Sequence, residues 1–146
     1  MKDLYYMKLA ETAASQSKDP RTHVGACIIK DGRVLSLGWN GAPRKFPDDK
    51  VPTARDTSLP LKEQKYPYIV HAEMNAVLNY GGSLKDFKDS TVYVTVSPCC
   101  DCAKMLAQLE IGEVVYEEEY TNTETWEMSK YMFDTCGVKY RKLKEE

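Results

Sequence analysis

The sequence has no long apolar run, no excess of basic residues and only two histidines. A membrane-spanning helix needs about 20 apolar residues in succession, and no segment approaches that length. The first 20 residues also lack the apolar core and the small-residue cleavage site of a secretory signal. The formal net charge is −2, whereas nucleic-acid-binding proteins usually carry a basic face. We therefore expect neither a membrane nor a nucleic acid as a partner.

Disulfide pairing is disfavoured as well, because the five cysteines are odd in number and three of them lie within residues 97–102. Reduced thiols are typical of the cytoplasm, which is the location we expect. A chain of 146 residues is long enough to bury one substantial core but short for two. We therefore expect residues 1–146 to form a single domain.

Hydrophobic periodicity predicts four helices and five strands in one α/β fold. The predicted helices cover residues 2–17, 71–80, 99–111 and 123–136, and the predicted strands cover residues 24–30, 33–39, 90–97, 113–119 and 138–143. Asp31-Gly32 between the first two strands is typical of a two-residue hairpin, so these strands should pair antiparallel. The later strands alternate with helices, which predicts crossover connections and one central mixed sheet of about five strands.

Residues 43–68 interrupt this pattern with five of the seven prolines and no sustained periodicity. A loop of this length is uncommon in a small domain unless it has a function. The loop carries basic residues that could pair with an anionic ligand, as could Lys18 and Arg21 before the first strand. The loop residues are Arg44, Lys45, Lys50, Arg55, Lys62 and Lys65. Sequence alone selects none of them.

The segment SPCCDC, residues 97–102, lies where a predicted strand passes into a predicted helix. Pro98 suits the start of a helix because no amide hydrogen is needed there. In the first helical turn, free amides and the helix dipole stabilise thiolates. Cys99 and Cys102 are three residues apart and should share one face, whereas Cys100 should point about 100° away. The spacing therefore selects Cys99 and Cys102 as a pair.

His71 and Glu73, at the start of another predicted helix, indicate what this pair binds. A CxxC pair alone fits either redox chemistry or metal binding, but a histidine adds a third ligand suited to zinc. Three protein ligands leave the fourth zinc position open, as in catalytic sites. Glu73 could lie beside that position and relay protons without being a ligand. We interpret His23 as a structural or surface residue, and Cys27 and Cys136 as small core residues.

The pattern His71-x-Glu73 followed by Pro98-Cys99-x-x-Cys102 is the signature of zinc-dependent nucleobase deaminases, so the chain resembles the cytidine deaminase superfamily. The segments GWNGAP (38–43), KYPYIVHAEMNA (65–76) and SPCCDCAKML (97–106) resemble deoxycytidylate deaminases in particular. The resemblance implies a three-layer α-β-α fold with helices on both faces of the sheet. It also implies one catalytic zinc ion per subunit and the conversion of dCMP to dUMP and ammonia, which supplies dUMP for dTMP synthesis.

The same resemblance implies roles for individual residues. The zinc ligands would be His71, Cys99 and Cys102, and the proton carrier would be Glu73. Substrate contacts would come from Asn40, Ala72, Ser97 and Pro98. Many relatives are hexamers that dCTP activates and dTTP inhibits, so these nucleotides and a homo-oligomer are expected partners. The effector contacts would come from Gly38, Trp39, Asn40 and Gly41.

Other deaminases of the superfamily and a zinc-stabilised binding domain are the alternatives to this interpretation. A tRNA adenosine deaminase shares HAE and PCxxC but should present a basic face to RNA. Among other nucleoside deaminases of the superfamily, those acting on free cytidine usually carry cysteine where this chain has His71. A zinc-stabilised binding domain, which is not an enzyme, would need a fourth protein ligand. Cys100 could supply it only if the helix unwound.

Overall fold

A computed structural model describes residues 2–144 of the chain and contains the four helices and five strands that the sequence predicts. The helices are α1 (Lys2–Ala14), α2 (Ala72–Asn79), α3 (Cys100–Gln108) and α4 (Thr123–Cys136). The strands are β1 (Gly25–Lys30), β2 (Arg33–Trp39), β3 (Thr91–Val96), β4 (Glu113–Glu118) and β5 (Lys139–Lys142). The predicted α/β fold is confirmed. None of the described helices is long and apolar enough to cross a membrane.

The five strands form one mixed sheet in the order β2-β1-β3-β4-β5. β1 pairs antiparallel with both β2 and β3, while β3, β4 and β5 are parallel. The β1–β2 hairpin turns through Asp31 (φ 51°) and Gly32 (φ 76°), the left-handed conformations that a tight hairpin requires. In this order, β2, β3 and β4 all end at the sheet edge where β1 begins.

Alternating residues along the strands build a core on each face of the sheet. On one face, Ile28, Val92 and Val114 pack with buried residues of α2, α3 and α4. On the other face, Cys27 and Tyr93 pack with Met7 and Ala10 of α1 and with other apolar side chains. The three-layer α-β-α arrangement is therefore confirmed.

Several boundaries differ from the predicted ones. α1 ends at Ala14 because the amides of Gln16 and Ser17 bond carbonyls three residues back, which tightens the last turn. The predicted loop over residues 43–68 contains three single-turn 3₁₀ helices, at Asp48–Lys50, Leu61–Glu63 and Tyr66–Tyr68. Their prolines at or near the first turn favour such short turns.

The prediction that Cys136 is a core residue is wrong, since its side chain is exposed. Cys136 is the last residue of α4, and Gly137 follows it in the left-handed conformation (φ 78°) that ends many helices. The chain then turns so that Val138 enters the core instead. Cys27 is fully buried and His23 is exposed, as expected.

Candidate active site

Two helices begin at the sheet edge where β2, β3 and β4 end. His71 occupies the N-cap position of α2, and its carbonyl accepts the amide of Asn75 at 2.9 Å. Cys99 occupies the N-cap of α3, and its carbonyl accepts the amide of Ala103 at 2.9 Å. Both residues are extended and therefore lie just outside the helices that were predicted to contain them. Both residues therefore lie at the positive end of a helix dipole, although neither side chain caps its helix with a hydrogen bond.

His71, Cys99 and Cys102 bring three metal-ligating atoms together. The Nδ1 atom of His71 lies 3.3 Å from Cys99 Sγ and 3.4 Å from Cys102 Sγ. Tetrahedral zinc with Zn–S bonds of about 2.3 Å and Zn–N bonds of about 2.1 Å would separate such atoms by about 3.6 Å. Two soft thiolates and an imidazole are also a donor set that zinc prefers. The three residues therefore fit a zinc ion.

The two thiols differ in their affinity for a proton. The Cys102 thiol and His71 hydrogen-bond Cys99, and these contacts lower the pKa of the Cys99 thiol to about 4 against the opposing effect of burial. The same bond to Cys99, with burial, raises the pKa of Cys102. The bond to Cys99 also raises the pKa of His71. One thiolate is thus already favoured near neutral pH, as zinc binding requires.

Glu73 lies in the first turn of α2, two residues after His71, and only 4 % of it is exposed. Burial raises the pKa of its carboxyl to about 7, although His71 opposes the shift. It lines the same cavity as His71 and Cys99. A carboxyl with a pKa near neutrality can both accept and return a proton, which suits general acid–base catalysis.

Asn40 is held rigidly at the end of β2. Its Oδ1 accepts a hydrogen bond from the amide of Val24 at 2.9 Å, and its Nδ2 donates one to the carbonyl of Thr22 at 2.8 Å. The next residue, Gly41, pairs through its amide and carbonyl with Val70. Because Val70 immediately precedes His71, this bridge fixes the β2 end beside the metal ligands.

These segments enclose a cavity of 470 Å³, which lies in the range of small-molecule sites. The loop over residues 43–68 forms part of its wall, through Ala54, Arg55, Thr57, Gln64, Lys65 and Tyr66. The Tyr66 ring meets the His71 ring edge-on with centroids 5.9 Å apart. The loop therefore forms part of the site, in agreement with the expectation that a loop of this length has a function.

The structure brings some of the predicted site residues to the cavity and leaves others elsewhere. The lining includes Asn40, Ala72 and Ser97 together with His71, Glu73 and Cys99. Pro98 is fully buried outside the lining, and its carbonyl accepts the Ser129 hydroxyl at 2.9 Å. The expected effector residues Gly38, Trp39 and Gly41 also lie outside the lining. Gly38 packs against the backbone of α2, and Trp39 is partly exposed.

Sequence reasoning missed the wall that follows β4. Glu118, Glu119, Tyr120 and Thr121 line the cavity, and the Tyr120 amide donates to Ser97 Oγ at 2.6 Å. The succession of strand, helix and strand from β3 through α3 to β4 could have indicated this wall, because such a crossover makes the two strands parallel and directs their carboxyl ends to the same edge of the sheet. Thr22 also lines the cavity, and no role was predicted for it.

Residues 1–118 match the family model described as the cytidine and deoxycytidylate deaminase zinc-binding region. The chain is 37 % identical over 141 residues to the deoxycytidylate deaminase of Pongo abelii, covering 95 % of this chain and 78 % of that protein. It is 38 % identical over 147 residues to a probable deoxycytidylate deaminase of Drosophila melanogaster, covering 96 % and 71 %.

A solved structure shares the fold over nearly the whole chain. It is the dCMP deaminase of the cyanophage S-TIM5 in complex with dCMP and dUMP. The TM-score is 0.76 at 31 % identity, covering 97 % of this chain and 96 % of that one. Together with the zinc-binding family model, the His71, Cys99 and Cys102 cluster supports zinc as the cofactor.

Proposed function

The chain belongs to the family of cytidine and deoxycytidylate deaminases, and from this premise we propose that it is a zinc-dependent hydrolase that converts dCMP to dUMP and ammonia. The observation that carries the proposal is a buried carboxyl, Glu73, in the same cavity as a His-Cys-Cys cluster that fits zinc. His71, Cys99 and Cys102 would hold the ion. When bound, zinc supplies a Lewis acid that makes water a competent nucleophile near neutral pH.

Glu73 carries the protons of this reaction. In its ionised form it accepts a proton from the attacking water and delivers that proton to N3 of cytosine, while the water oxygen bonds to C4. It then takes the remaining hydroxyl proton and passes it to the amino group, so that the C4–N bond breaks and ammonia leaves. The carboxylate ends in its original state. Burial, which raises the pKa of Glu73 to about 7, suits a group that must hold a proton between these steps.

Asn40, Ala72 and Ser97 are proposed to contact the substrate. Asn40 and Ser97 already bond backbone groups, so their positions in the cavity wall are fixed before a ligand enters. Ala72 is the first residue of α2 and lies between the metal ligand His71 and the proton carrier Glu73. Pro98 lies outside the lining, so we propose that it supports Cys99 rather than the substrate.

The two alternatives are less well supported. Curated relatives with more than 30 % identity include several deoxycytidylate deaminases, which favours a nucleotide over a tRNA adenosine as substrate. Within residues 2–144, Cys100 is not part of the metal-ligand cluster, and its amide donates to Thr125 Oγ1 at 2.9 Å. A tetrahedron closed by four protein ligands, as a zinc-stabilised binding domain needs, is therefore disfavoured.

The Glu73→Gln variant tests the proposal. Glutamine has nearly the same shape as glutamate, so the variant should keep its zinc and bind dUMP. Its amide, however, is neither an acid nor a base near neutral pH and cannot carry the protons of the reaction. We expect dCMP turnover to fall by about 10²- to 10⁴-fold, the usual contribution of a general acid–base group. Ammonia release and zinc content are measured on one preparation, with Glu63→Gln as the control because Glu63 is exposed and outside the cavity lining. Near-normal turnover at full zinc occupancy would assign proton transfer to another group.

Assembly, regulation and location are part of the same proposal. We infer a hexamer in the cytoplasm that dCTP activates and dTTP inhibits, with Gly38, Trp39, Asn40 and Gly41 as candidate effector contacts. The support is the family membership, the free state of all five cysteines and the exposure of Trp39. Each nucleotide can shift activity only by its different affinity for two states of the enzyme. Hyperbolic dCMP kinetics that neither nucleotide alters would contradict regulation and leave the chemistry intact.

A further inference from the structure

The cavity wall contains both signs of charge. Of the residues that the structure describes, two with Lys or Arg side chains line the cavity, Arg55 and Lys65, and both belong to the proline-rich loop. Glu118 and Glu119 line it from the segment that ends β4. An anionic group on a ligand is attracted to the loop and repelled by the β4 end. An anionic group should therefore bind on the loop side of the cavity.

Lys65 already forms a buried ion pair with Asp19. Its Nζ lies 2.5 Å from Oδ2 of Asp19, and the side chains are only 14 % and 3 % exposed. Oδ1 of Asp19 accepts the amides of Arg21 and Thr22 at 2.9 and 2.8 Å. Taking Lys65 away from this carboxylate would leave a buried charge unpaired, which is costly. Lys65 therefore anchors the loop and is poorly placed to serve a ligand.

Arg55, unlike Lys65, has a positive charge that no carboxylate among the described residues neutralises and hydrogen-bond donors that remain available. Its Nη2 donates to the neutral hydroxyl of Thr22, and no ion pair involving Arg55 occurs among residues 2–144. A guanidinium has five N–H donors in a planar fork that matches the oxygens of a phosphate. The residue is exposed at the rim of the cavity, where it is accessible to an incoming ligand.

The contact with Thr22 also positions Arg55 relative to the rest of the site. The Thr22 carbonyl accepts Nδ2 of Asn40 at 2.8 Å, so Arg55, Thr22 and Asn40 form one chain of hydrogen bonds along the cavity wall. Asn40 lines the cavity together with His71, Glu73 and Cys99. The guanidinium is thus tied to the same wall as the catalytic cluster.

We propose that Arg55 binds the 5′-phosphate of the substrate and makes the enzyme select a nucleotide over the corresponding nucleoside. This inference rests on the proposed function, since it names the residue that recognises the phosphate of dCMP. The phosphate occupies the donors that Thr22 leaves free, while the base extends toward His71 and Glu73. The preference for the nucleotide comes from the positive charge of Arg55, which has no carboxylate partner in the described structure.

The test compares dCMP with deoxycytidine in the wild-type protein and in Arg55→Gln. Loss of a charge-assisted hydrogen bond should lower kcat/KM for dCMP by about 10- to 100-fold. The value for deoxycytidine should change by less than about threefold, because that substrate has no phosphate. Arg55→Lys should restore part of the loss, since it returns the charge without the fork. Added salt should reduce the preference for dCMP in the wild type more than in Arg55→Gln.

Lys62→Gln is the matched control. Lys62 lies on the same loop and has the same charge as Arg55, but it is exposed outside the cavity lining, so its loss should leave the preference for dCMP unchanged. An equal loss on both substrates would show that Arg55 only supports the loop, and an unchanged preference would show that the phosphate binds elsewhere. Either result would overturn the proposal.

A binding measurement separates this inference from the proposed reaction. Calorimetry with dUMP and deoxyuridine reports phosphate recognition without turnover, and Arg55→Gln should lose affinity only for dUMP. If the wild type prefers dUMP, Arg55→Gln loses that preference and no ammonia is released from dCMP, the proposed reaction fails and the role of Arg55 stands. If ammonia is released and Arg55→Gln keeps the full preference for dUMP, the inference fails and the reaction stands.

Discussion

At the scale of single residues, the three clustered cysteines have different environments because each occupies a different position at the start of α3. Cys99 is the N-cap, and Cys102 is the third helical residue, the position whose amide an N-cap side chain normally reaches. The capping geometry thus places their sulfur atoms together at His71. Cys100 begins the helix and directs its amide to Thr125 on α4.

This arrangement predicts different zinc contents for three alanine variants. Cys99→Ala and Cys102→Ala should each lose most of their zinc, because two remaining protein ligands bind the ion much more weakly than three. Cys100→Ala should retain about one zinc ion per chain. Zinc is measured by atomic absorption after gel filtration in buffer without metal. Loss of zinc from Cys100→Ala would mean that the helix start differs from the one described.

The residues of the catalytic cluster could be predicted from sequence because their spacing and scarcity restrict the possibilities. Only two histidines exist in the chain, and His71 has Glu73 two positions away. The Asp19–Lys65 ion pair could not be predicted in the same way, because its partners are 46 positions apart (65 − 19) and lie in segments without periodicity. Charged residues on loops are usually solvated, and only the tertiary fold shows which of them are buried.

At the scale of elements, the close packing of β2 against α2 positions the metal site. Gly38 near the end of β2 faces the first two turns of α2, and a Cβ atom there would lie 2.3 Å from the Ala76 amide nitrogen and 2.4 Å from the Ala72 carbonyl oxygen. Both atoms belong to backbone, so neither can rotate aside. Gly38 therefore sets the distance between the strand that carries Asn40 and the helix that begins beside His71.

Gly38→Ala should therefore lower the free energy of unfolding by at least about 1–3 kcal/mol, because the added Cβ must push α2 and β2 apart. Zinc affinity should fall as well, since α2 presents His71. Gly41→Ala is the matched control, because a Cβ at Gly41 meets no atom within 4 Å and its backbone is not left-handed. Chemical unfolding and zinc titration are measured on both variants. Equal stability of the two would contradict the close packing.

The elements themselves were predictable because most are short and strongly patterned, whereas the order of the strands was not. Periodicity indicates which residues of β3 are buried but not that β3 lies beside β1 rather than β2. The strand order is specified by contacts between distant elements, and the packing of α2 on the sheet is one of them. The small side chains of Ala72 and Ala76 allow this helix to lie across β1 and β2. Such contacts involve residues far apart in sequence.

At the scale of the whole molecule, the sheet and its two cores are largely independent of the metal site. The cores contain apolar residues from all four helices and from strands β1, β3 and β4, whereas the zinc ligands lie at one edge. Domains that unfold without zinc are those whose apolar core is too small to sustain the fold. That residues 1–146 form one domain stays a prediction, and so does the number of subunits.

Removal of zinc should therefore weaken the protein without unfolding it. A ligand that binds only the folded state stabilises it by RT ln(1 + [L]/Kd), which is about 2.7 kcal/mol when free zinc is 100 times Kd. After chelation, far-UV circular dichroism at 25 °C should retain its native shape, while Tm falls and returns when zinc is added back. The Cys102→Ala variant is the control, because its Tm should respond little to either treatment. Complete unfolding on chelation would mean that the zinc ligands hold α2 and α3 on the sheet and that the buried faces of these helices cannot do so alone.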